Sequence, residues 1–490
     1  MFQTLLVANR GEIAVRIIRA ARELGIKTYA IYSPVDKHSF HVKLADESFA
    51  LLEENGQIGY LDIEQIIAIC KREHIKSIHP GYGFLSESAE FAEKTQDAGI
   101  EFIGPSPDII ELLGNKVKSR KEAAKAGLSI PEGSGVINDL PEAHKEAKKI
   151  GYPLLVKAVY GGGGMGIQKA SSDKELEKAF THAQAQSLAA FGREEVFLEK
   201  YIHQPRHIEF QIIGDKHGNV VHLGERECSI QRRNQKLLEE APSTAVTSEL
   251  RKRVGLLVCT LARELGYQNA GTVEFLYQKG KLFFNEINPR IQVEHPVTEM
   301  ITGKDIVKEQ ILIAQGDELS FTQEEIEFRG HAIELRITAE DPLANFQPKP
   351  GFVKKFTNPG GPDVRFDTAI YEGYTIPDCY DSLIGKLIIG AETREAAVDR
   401  AQNALKELLI LGVPTTIPFF QQLLEEENFL KGDISINFIE DEKLLKKIEE
   451  NVFSLASALF AVGLKKNQLQ LPELSENWQM KSKLDAIGRE

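Results

Sequence analysis

The sequence predicts an α/β (α+β) protein of several domains, the first of which is a doubly wound parallel sheet. Strand-like and helix-like segments alternate over the first hundred or so residues, as in a parallel sheet with helices on both faces. Farther along, a glycine-rich loop is followed by antiparallel-type strands and then by a second α/β unit starting near Arg329. The chain has 490 residues, enough for two or three domains with sizeable cores.

The N-terminal alternation begins with an apolar strand at residues 5–8. A turn at 9–12 leads into an amphipathic helix through about Leu24, and Gly25 is expected to end that helix. The same pattern continues through a strand at 28–32, a helix at 66–73, a strand at 77–79 and a loop at 80–83. The first turn lacks Gly-x-Gly-x-x-Gly, so a dinucleotide-binding fingerprint is not supported.

A lysine-bearing strand and a very glycine-rich loop follow a predicted linker at 131–135. Lys157 lies in the strand-like segment at 151–158, and residues 161–166 read Gly-Gly-Gly-Gly-Met-Gly. Glycines allow backbone N–H groups to approach phosphate oxygens closely. The lysine precedes the glycines, so the pattern is not a Walker A loop. We interpret the loop as a lid over phosphates; the alternative is a flexible hairpin tip.

Polar side chains occupy every other position near residue 290: Glu286, Asn288, Arg290, Gln292 and Glu294. Alternate residues of a β-strand point to one face, so these five side chains are predicted to line one wall of a pocket. Burying them together is costly unless a metal ion and a ligand satisfy them. A purely structural strand is therefore disfavoured.

A second strand-like run, at 271–276, carries Glu274. Carboxylates on paired strands, Glu274 and Glu286, with the amide of Asn288 beside them, suit a hard divalent cation that bridges nucleotide phosphates. Neither segment contains His or Cys, which argues against zinc. The pattern predicts Mg²⁺ or Mn²⁺ with a nucleoside triphosphate.

Composition excludes several classes of partner. The net charge of −13 argues against a nucleic-acid partner, which needs a basic surface. No apolar run approaches the ~20 residues that span a membrane. The four cysteines are scattered, and Met1 leads directly into a strand. We therefore expect reduced thiols, no signal peptide and a cytoplasmic location.

Several motifs occur in one order along the chain: Val-Ala-Asn-Arg-Gly-Glu-Ile-Ala at 7–14, His-Pro-Gly-Tyr-Gly-Phe-Leu-Ser-Glu at 79–87, Gln-Arg-Arg-Asn-Gln-Lys at 231–236, Glu-Glu-Ala-Pro at 239–242 and Arg-Ile-Gln-Val-Glu-His at 290–295. Together they resemble the biotin carboxylase family of the ATP-grasp superfamily, over roughly residues 1–445. The resemblance implies an N-terminal biotin carboxylase domain (1–113), an ATP-grasp domain (114–325, with its lid at about 131–203), a C-terminal biotin carboxylase domain (326–446) and a C-terminal extension (447–490).

The resemblance also implies the reaction of an ATP-dependent ligase. ATP and bicarbonate would form carboxyphosphate, and the carboxyl group would move to N1′ of biotin on a separate carrier protein. The implied cofactors are ATP and Mg²⁺ or Mn²⁺, with two ions expected, and biotin is a substrate that is not attached to this chain. The implied partners are a biotin carboxyl carrier protein and a carboxyltransferase, in a homodimer or larger complex.

The resemblance assigns roles to particular residues. ATP would be bound by Lys116, Lys157, Gly162, Gly163, Gly164, Gly166, Glu199, Lys200, Tyr201, Ile202, His207, Gln231, Asn234 and Leu276. The metals would be held by Glu274, Glu286 and Asn288, bicarbonate by Lys236, Arg290, Gln292 and the backbone of Val293, and biotin by Tyr82 and Arg336. The catalytic set would be Arg290, Glu294, Lys236 and Arg336, with Glu294 as general base and Arg336 stabilising the biotin enolate.

Structural alternatives stand beside these roles: a solvated helix lysine for Lys116, a surface turn for His207, a packed glycine turn for Tyr82, and an ion pair with Glu334 or Glu340 for Arg336. The sequence departs from many relatives in three places, since Asn234 replaces a histidine, Met165 a basic lid residue and Pro289 a threonine.

Two rival functions are compatible with part of the pattern: another ATP-grasp ligase that joins a carboxylate to an amine, and a non-catalytic scaffold. For the final carboxyl acceptor we expect an acyl-CoA, such as acetyl- or propionyl-CoA, with pyruvate as the alternative. The only Met-Lys pair, at 480–481, lacks the flanking pattern of a biotin acceptor domain. The apolar patch at 452–462 is either a docking helix or a cap on the C-terminal domain.

Overall fold

The computed structural model describes residues 2–53, 58–161, 166–441 and 443–448. The predicted lid residues Gly162, Gly163, Gly164 and Met165 lie outside the described residues. So do the extension beyond residue 448, the patch at 452–462 and the Met-Lys pair at 480–481.

A parallel sheet with helices on both faces forms the N-terminal part of the chain. Its elements are β1 (Thr4–Val7), α1 (Gly11–Glu23), β2 (Lys27–Tyr32), α2 (Phe40–Leu44), β3 (Glu47–Ala50), α3 (Ile63–Arg72), β4 (Ser77–His79), α4 (Ala89–Asp97), β5 (Glu101–Phe102), α5 (Pro107–Gly114) and α6 (Lys116–Lys125). Among the described residues the sheet has five strands, in the order β3-β2-β1-β4-β5. Leu5 and Val7 of β1 join α1 on one face, and Leu6 joins α3 and α4 on the other. This confirms the predicted doubly wound sheet.

A small antiparallel sheet with two helices against it follows. Its elements are β6 (Gly133–Ile137), α7 (Leu140–Ile150), β7 (Leu154–Ala158), β8 (Ile167–Ala170), α8 (Asp173–Phe191) and β9 (Val196–Lys200), with the strand order β6-β9-β7-β8. The predicted linker at 131–135 is partly wrong, because the segment from Gly133 pairs as a strand. A Cβ on Gly133 would lie 2.8 Å from the carbonyl oxygen of Leu198, so this glycine permits close pairing.

The largest sheet is antiparallel and carries most of the candidate site residues. Its strands are β10 (Arg206–Gly214), β11 (Val220–Arg232), β12 (Gln235–Ala241), β13 (Asn269–Gln278), β14 (Lys281–Asn288), β15 (His331–Thr338), β19 (Val364–Thr368) and β20 (Leu383–Ala391). Among the described residues their order is β14-β13-β10-β11-β12-β15-β20-β19. The unit predicted to start near Arg329 is not separate, because β15 pairs with β12 in this same sheet. Sequence patterns indicate several of these strands but not their neighbours, since main-chain pairing over long separations leaves no local signal.

Helices and two short strand pairs complete the part of the chain that the structure describes. None of its helices is both long and apolar enough to cross a bilayer. The remaining elements are α9 (Ser248–Glu264), α10 (His295–Thr302), α11 (Ile306–Ala314), β16 (Glu340–Asp341), β17 (Gln347–Pro348), β18 (Lys355–Thr357), α12 (Arg394–Glu407), β21 (Leu409–Leu411), α13 (Ile417–Leu423), α14 (Glu427–Leu430) and α15 (Phe438–Asp441).

Candidate active site

The candidate metal ligands lie on neighbouring strands of the large sheet. Glu274 of β13 is directly opposite Glu286 of β14 on one side and Glu209 of β10 on the other. Asn288 donates from Nδ2 to Glu274 Oε1 at 2.9 Å. The antiparallel register therefore brings together a row of carboxylates, of which Glu209 was not recognised from the sequence. Because it comes from a separate strand, only the pairing of β10 with β13 reveals it.

Lys116 is the first residue of α6, and its ammonium lies 2.8 Å from Glu286 Oε2. Its side chain is buried. Burial by itself opposes the charge, but the carboxylate of Glu286 outweighs it and raises the pKa of Lys116. Lys116 is therefore not a solvated helix lysine, and it contacts one of the candidate metal ligands.

Lys157 lies at the root of the glycine-rich loop and points back toward the sheet. Its ammonium donates to Glu199 Oε1 at 2.9 Å and to Asn285 Oδ1 at 3.1 Å. The other oxygen of Glu199 pairs with the guanidinium of Arg120. Neither Arg120 nor Asn285 was singled out from the sequence, although Arg120 lies on the same helix as Lys116. The side chain of Glu199 thus orients a phosphate-binding candidate.

The segment expected to contact adenine begins at the end of β9. The amide of Lys200 donates to the carbonyl of Glu132 at 2.7 Å, and that of Tyr201 donates to the carbonyl of Pro153 at 3.3 Å. These two amides are thus engaged within the lid subdomain. The adenine contacts of residues 199–202 stay predictions. So does that of Leu276, which lies on β13 opposite His207 of β10.

Lys236 is the centre of the site. Its ammonium lies 2.6 Å from Glu209, 3.1 Å from Glu274 and 2.6 Å from Glu294. It therefore joins the carboxylate row of the sheet to the loop that carries Glu294. Burial opposes its charge, but these three carboxylates outweigh burial and raise the pKa of Lys236 well above its ordinary value.

Glu294 is fully buried between two cations. Its Oε1 accepts from Lys236 at 2.6 Å, and its Oε2 accepts from Arg336 at 2.9 Å. Burial alone would raise the pKa of Glu294, but Lys236 and Arg336, with Arg226 behind them, hold it well below its usual range. The carboxylate is therefore ionised and able to accept a proton, although these cations reduce its basicity.

Arg336 of β15 pairs with Glu239 and Glu294 rather than with Glu334 or Glu340, the alternatives that the sequence left open. Its Nε donates to Glu239 Oε1 at 2.6 Å while Nη2 reaches Glu294. Glu239 was not recognised from the sequence, although it belongs to the motif at 239–242. Burial raises the pKa of Glu239 to about 7 against the opposing effect of Arg336.

The wall predicted from alternating residues is not a single strand, which corrects the sequence-based interpretation. Strand β14 ends at Asn288, and residues 289–294 form a loop before α10. Pro289 lacks the N–H that would continue the ladder, so the sequence does contain the signal that ends the strand. Glu286 and Asn288 lie on the strand, whereas Glu294 reaches Lys236 through the path of the loop.

Two polar groups of this loop form a candidate anion site. Arg290 donates from Nη1 to Gln292 Oε1 at 2.9 Å and from Nε to Glu87 Oε1 at 2.5 Å. Gln292 is buried, and its Nε2 has no hydrogen-bond partner among the described residues. A buried donor without an acceptor is costly, so this amide is suited to an anionic ligand.

His207 and Cys228 lie beside the carboxylates, so the argument from an absence of His and Cys fails in three dimensions. His207 Nε2 is 3.0 Å from Glu274 Oε2, and Cys228 Sγ lies within 4.8 Å of carboxylate oxygens of Glu209 and Glu294. Burial opposes protonation of His207, but Glu274 outweighs it and raises the pKa. Burial raises the pKa of the Cys228 thiol well above its usual value. A thiol whose pKa is raised is a poor metal ligand, and His207 is paired with Glu274, so oxygen donors remain the better candidates.

Three other candidates lie on elements around this centre. Gln231 is buried on β11, whereas Asn234 is exposed in the turn to β12, where Arg233 and Asn234 both have positive φ, 51° and 65°. Asparagine is favoured in such a turn, which gives Asn234 a structural reason. Tyr82 donates its hydroxyl to Glu12, so it does more than pack in a glycine turn.

Family models match nearly the whole described chain. "Biotin carboxylase, N-terminal domain" matches residues 1–110, "Carbamoyl-phosphate synthase L chain, ATP binding domain" matches 115–322, and "Biotin carboxylase C-terminal domain" matches 334–441. The biotin carboxylase of Nostoc sp. is 50% identical over 442 residues, which cover 90% of this chain and 99% of that protein. The chain belongs to the biotin carboxylase family. It is therefore an ATP-dependent ligase, the biotin carboxylase component of a biotin-dependent carboxylase.

Other relatives show how similar members of the biotin carboxylase family are used. A pyruvate carboxylase subunit of Methanothermobacter thermautotrophicus is 47% identical, covering 93% of this chain and 95% of that protein. The biotin carboxylase domain dimer of Hydrogenobacter thermophilus 2-oxoglutarate carboxylase, solved with MgADP, ADP and bicarbonate, has a TM-score of 0.89 at 49% identity and covers 91% of this chain and 98% of that one. The biotin carboxylase of Campylobacter jejuni, solved as a complex with beta-gamma-ATP, has a TM-score of 0.88 at 42% identity and covers 90% of this chain and 99% of that one.

Proposed function

We propose that this enzyme uses ATP to activate bicarbonate and then carboxylates N1′ of biotin on a separate carrier protein. The observation that carries the proposal is the series of contacts Lys236–Glu294–Arg336, formed beside the buried donor of Gln292. A carboxylate held between two cations, with an unsatisfied buried donor two residues away on the same loop, supports this proposal. An ATP-grasp ligase for an amine has no need of this combination.

Glu274, Glu286 and Asn288 would hold divalent ions. Their oxygen atoms suit Mg²⁺ or Mn²⁺, and the cations of Lys116 and Lys236 compensate two of these carboxylates in the structure. A bound ion would neutralise charge on the nucleotide phosphates. Lys116 and His207 contact this row, and Lys157 contacts Asn285, the residue before Glu286. All three would stabilise the phosphates further.

Bicarbonate would bind between Arg290, Lys236 and Gln292, near the backbone of Val293. Glu294 would take the proton of its hydroxyl group while a bicarbonate oxygen forms a bond to the γ-phosphorus. The bond from that phosphorus to ADP breaks, and carboxyphosphate results. An anion that shares Lys236 would also weaken its contact with Glu294, which raises the basicity of that carboxylate.

Arg336 would stabilise the oxygen of the biotin ureido group as N1′ loses its proton. The guanidinium is permanently charged and is oriented by Glu239 and Glu294, so little reorganisation is needed. The new N–C bond forms as the C–O bond between the carboxyl group and phosphate breaks, and the leaving phosphate takes the proton of N1′. Tyr82 is the proposed neighbour of the biotin ring.

The molecule that receives the carboxyl group from biotin defines the type of carboxylase complex. An acyl-CoA was expected from the sequence, but relatives whose names state an acceptor act on 2-oxo acids: the pyruvate carboxylase subunit of M. thermautotrophicus and the 2-oxoglutarate carboxylase small subunit of H. thermophilus, the latter 49% identical over 443 residues. We therefore favour a 2-oxo acid carboxylase complex that contains a carrier, a carboxyltransferase and a dimer of this chain. The acyl-CoA complex is the alternative.

The test is the rate of ADP release by the purified protein with Mg²⁺, with bicarbonate and free biotin added singly and together. The proposal expects ADP release that requires bicarbonate and rises with biotin. Release that ignores both, but responds to an amine and a carboxylate, would identify the rival ligase; no release would identify a scaffold. ¹⁴C-bicarbonate fixation by the native complex onto pyruvate, 2-oxoglutarate, acetyl-CoA or propionyl-CoA would identify the acceptor.

A further inference from the structure

A buried lysine behind the candidate bicarbonate loop has no role in the proposed reaction steps. Lys386 lies in the middle of β20, directly opposite Arg336 of β15 and Asp367 of β19, and it is fully buried. Its ammonium donates to the backbone carbonyl of Val293 at 2.7 Å and lies 3.2 Å from Glu12 Oε2. It thus contacts the loop one residue before Glu294.

Glu12 links this lysine to another part of the chain. It is the second residue of α1 and is buried, and its Oε1 accepts from the hydroxyl of Tyr82. A chain of side-chain contacts therefore connects the parallel-sheet domain, strand β20 of the large sheet and the loop of the site. It runs through Tyr82, Glu12, Lys386 and Val293. These contacts are made by side chains and not by strand pairing.

The Val293 carbonyl belongs to the same rigid peptide unit as the Glu294 amide. Residues 289–294 are not in a helix or strand, so no regular ladder fixes this peptide plane. The hydrogen bond from Lys386 supplies a fixed point directly beside Glu294, whose carboxylate must reach both Lys236 and Arg336. Buried ion pairs are often replaced by apolar residues without loss of stability, so stability alone is a weak reason for this lysine.

We propose that Lys386 is a positioning residue that holds the Val293–Glu294 peptide in place for bicarbonate, with Glu12 holding the lysine. The inference rests on the proposed function, because it assumes that bicarbonate binds at this loop. Lys386 touches neither substrate nor reacting atoms. Its loss is expected to act on bicarbonate use more than on ATP use, since the ATP-binding candidates lie on other elements.

The decisive variant is the neutral pair Glu12→Gln with Lys386→Met. Lys386→Met alone leaves a buried carboxylate without its cation, and the protein is expected to be less stable for that reason. The double variant removes both charges and should recover most of the lost Tm. The KM for bicarbonate in ADP release should nevertheless remain raised about ten- to hundred-fold, while the KM for ATP stays within about twofold.

Two further variants complete the test. Glu12→Gln alone keeps the bond from Lys386 to Val293 and should raise the KM for bicarbonate less than Lys386→Met does. Lys94→Met is the matched control, because Lys94 is a half-buried lysine that pairs with Glu64 and Glu90 on the surface. It should leave both KM values unchanged.

A double variant with wild-type KM for bicarbonate would overturn the inference and leave Lys386 and Glu12 as a structural ion pair. An equal rise in both KM values would overturn it too, because general loosening of the fold would explain that result. If the wild-type protein shows no bicarbonate-dependent ADP release, the proposed function fails instead, and the two failures are distinct. If the Lys386 variants do not fold, Glu12→Gln decides: a rise confined to the KM for bicarbonate supports the inference, and any other result overturns it.

Discussion

Substitution Glu294→Gln separates the proposed base from the fold around it. Glutamine has nearly the same shape and can still accept hydrogen bonds, but it carries no charge and accepts a proton far less readily. In the native site the carboxylate accepts from Lys236 at 2.6 Å and from Arg336 at 2.9 Å. The substitution therefore removes one negative charge and keeps at most one of these two contacts, because an amide accepts through its single oxygen.

The magnitude follows from the partners that remain. Lys236 keeps Glu209 and Glu274, and Arg336 keeps Glu239, so neither cation is left unpaired. The loss of stability should be about 2 kcal/mol, below the ~3–5 kcal/mol of an orphaned buried charge. A Tm decrease of about 4 °C or less is expected. The rate of bicarbonate-dependent ADP release should fall about 10²- to 10³-fold, as when one preorganised electrostatic contact is lost.

The assay is ADP release at saturating ATP with and without bicarbonate, together with thermal unfolding of the same preparation. Glu327→Gln is the matched control, since Glu327 is an exposed glutamate that pairs with Arg329. A Glu294→Gln enzyme that turns over within threefold of wild type would refute the assignment of Glu294 as the base. A large drop in Tm that parallels the loss of activity would refute the partner-based estimate of stability.

Four further results are expected. Arg336→Gln should lower the rate of biotin carboxylation about 10²-fold and leave the KM for ATP nearly unchanged. Substitution of the exposed Arg329 by Gln is the control. A rise in the KM for ATP as large as the fall in the carboxylation rate would argue against an enolate role for Arg336. Gly166→Val should raise the KM for ATP, because Gly166 has φ of 72° and an added Cβ would lie 2.8 Å from the Cβ of Ala158; an unchanged KM would remove Gly166 from the lid. Native protein should show one fast-reacting thiol toward a disulfide reagent at pH 8, and Cys379→Ser should remove it. Cys379 is exposed, whereas burial raises the pKa of Cys70 to about 12 and of Cys259 to about 11. A fast thiol that persists in this variant would contradict the burial of the other cysteines. Burial lowers the pKa of His41 to about 4, from about 6.5 in an unfolded chain. Between these pH values the unfolded state binds more protons, so the free energy of unfolding falls by about 3 kcal/mol as the pH falls from 6.5 to 4. His41→Gln should flatten this pH dependence in thermal unfolding, and an unchanged dependence would contradict the lowered pKa of His41.

Residue types and their order along the chain indicate much of the candidate site. Motifs indicate Lys236, Arg290 and Glu294, and the family resemblance adds Arg336. Two adjacent strand-like runs indicate the carboxylates Glu274 and Glu286. The structure brings Lys236 into contact with Glu274 and Glu294, and Glu294 into contact with Arg336. The predicted one-sided wall was only half right, because the alternation of side chains between the two faces holds on β14 and stops at Pro289.

The sequence by itself determined the alternating order of strands and helices in the N-terminal domain, the apolar faces of β1 and the chemical types of the side chains in the site. These features are local, because each depends on side chains within a few residues of one another. Only the tertiary structure decided that β15 continues the sheet of β12, and that Glu209, Glu239 and Lys386 lie next to residues of the site. Those contacts join positions tens of residues apart, from 27 for Glu209 and Lys236 to 97 for Glu239 and Arg336. Their geometry comes from strand register and from the path of one loop, for which the local sequence carries no signal.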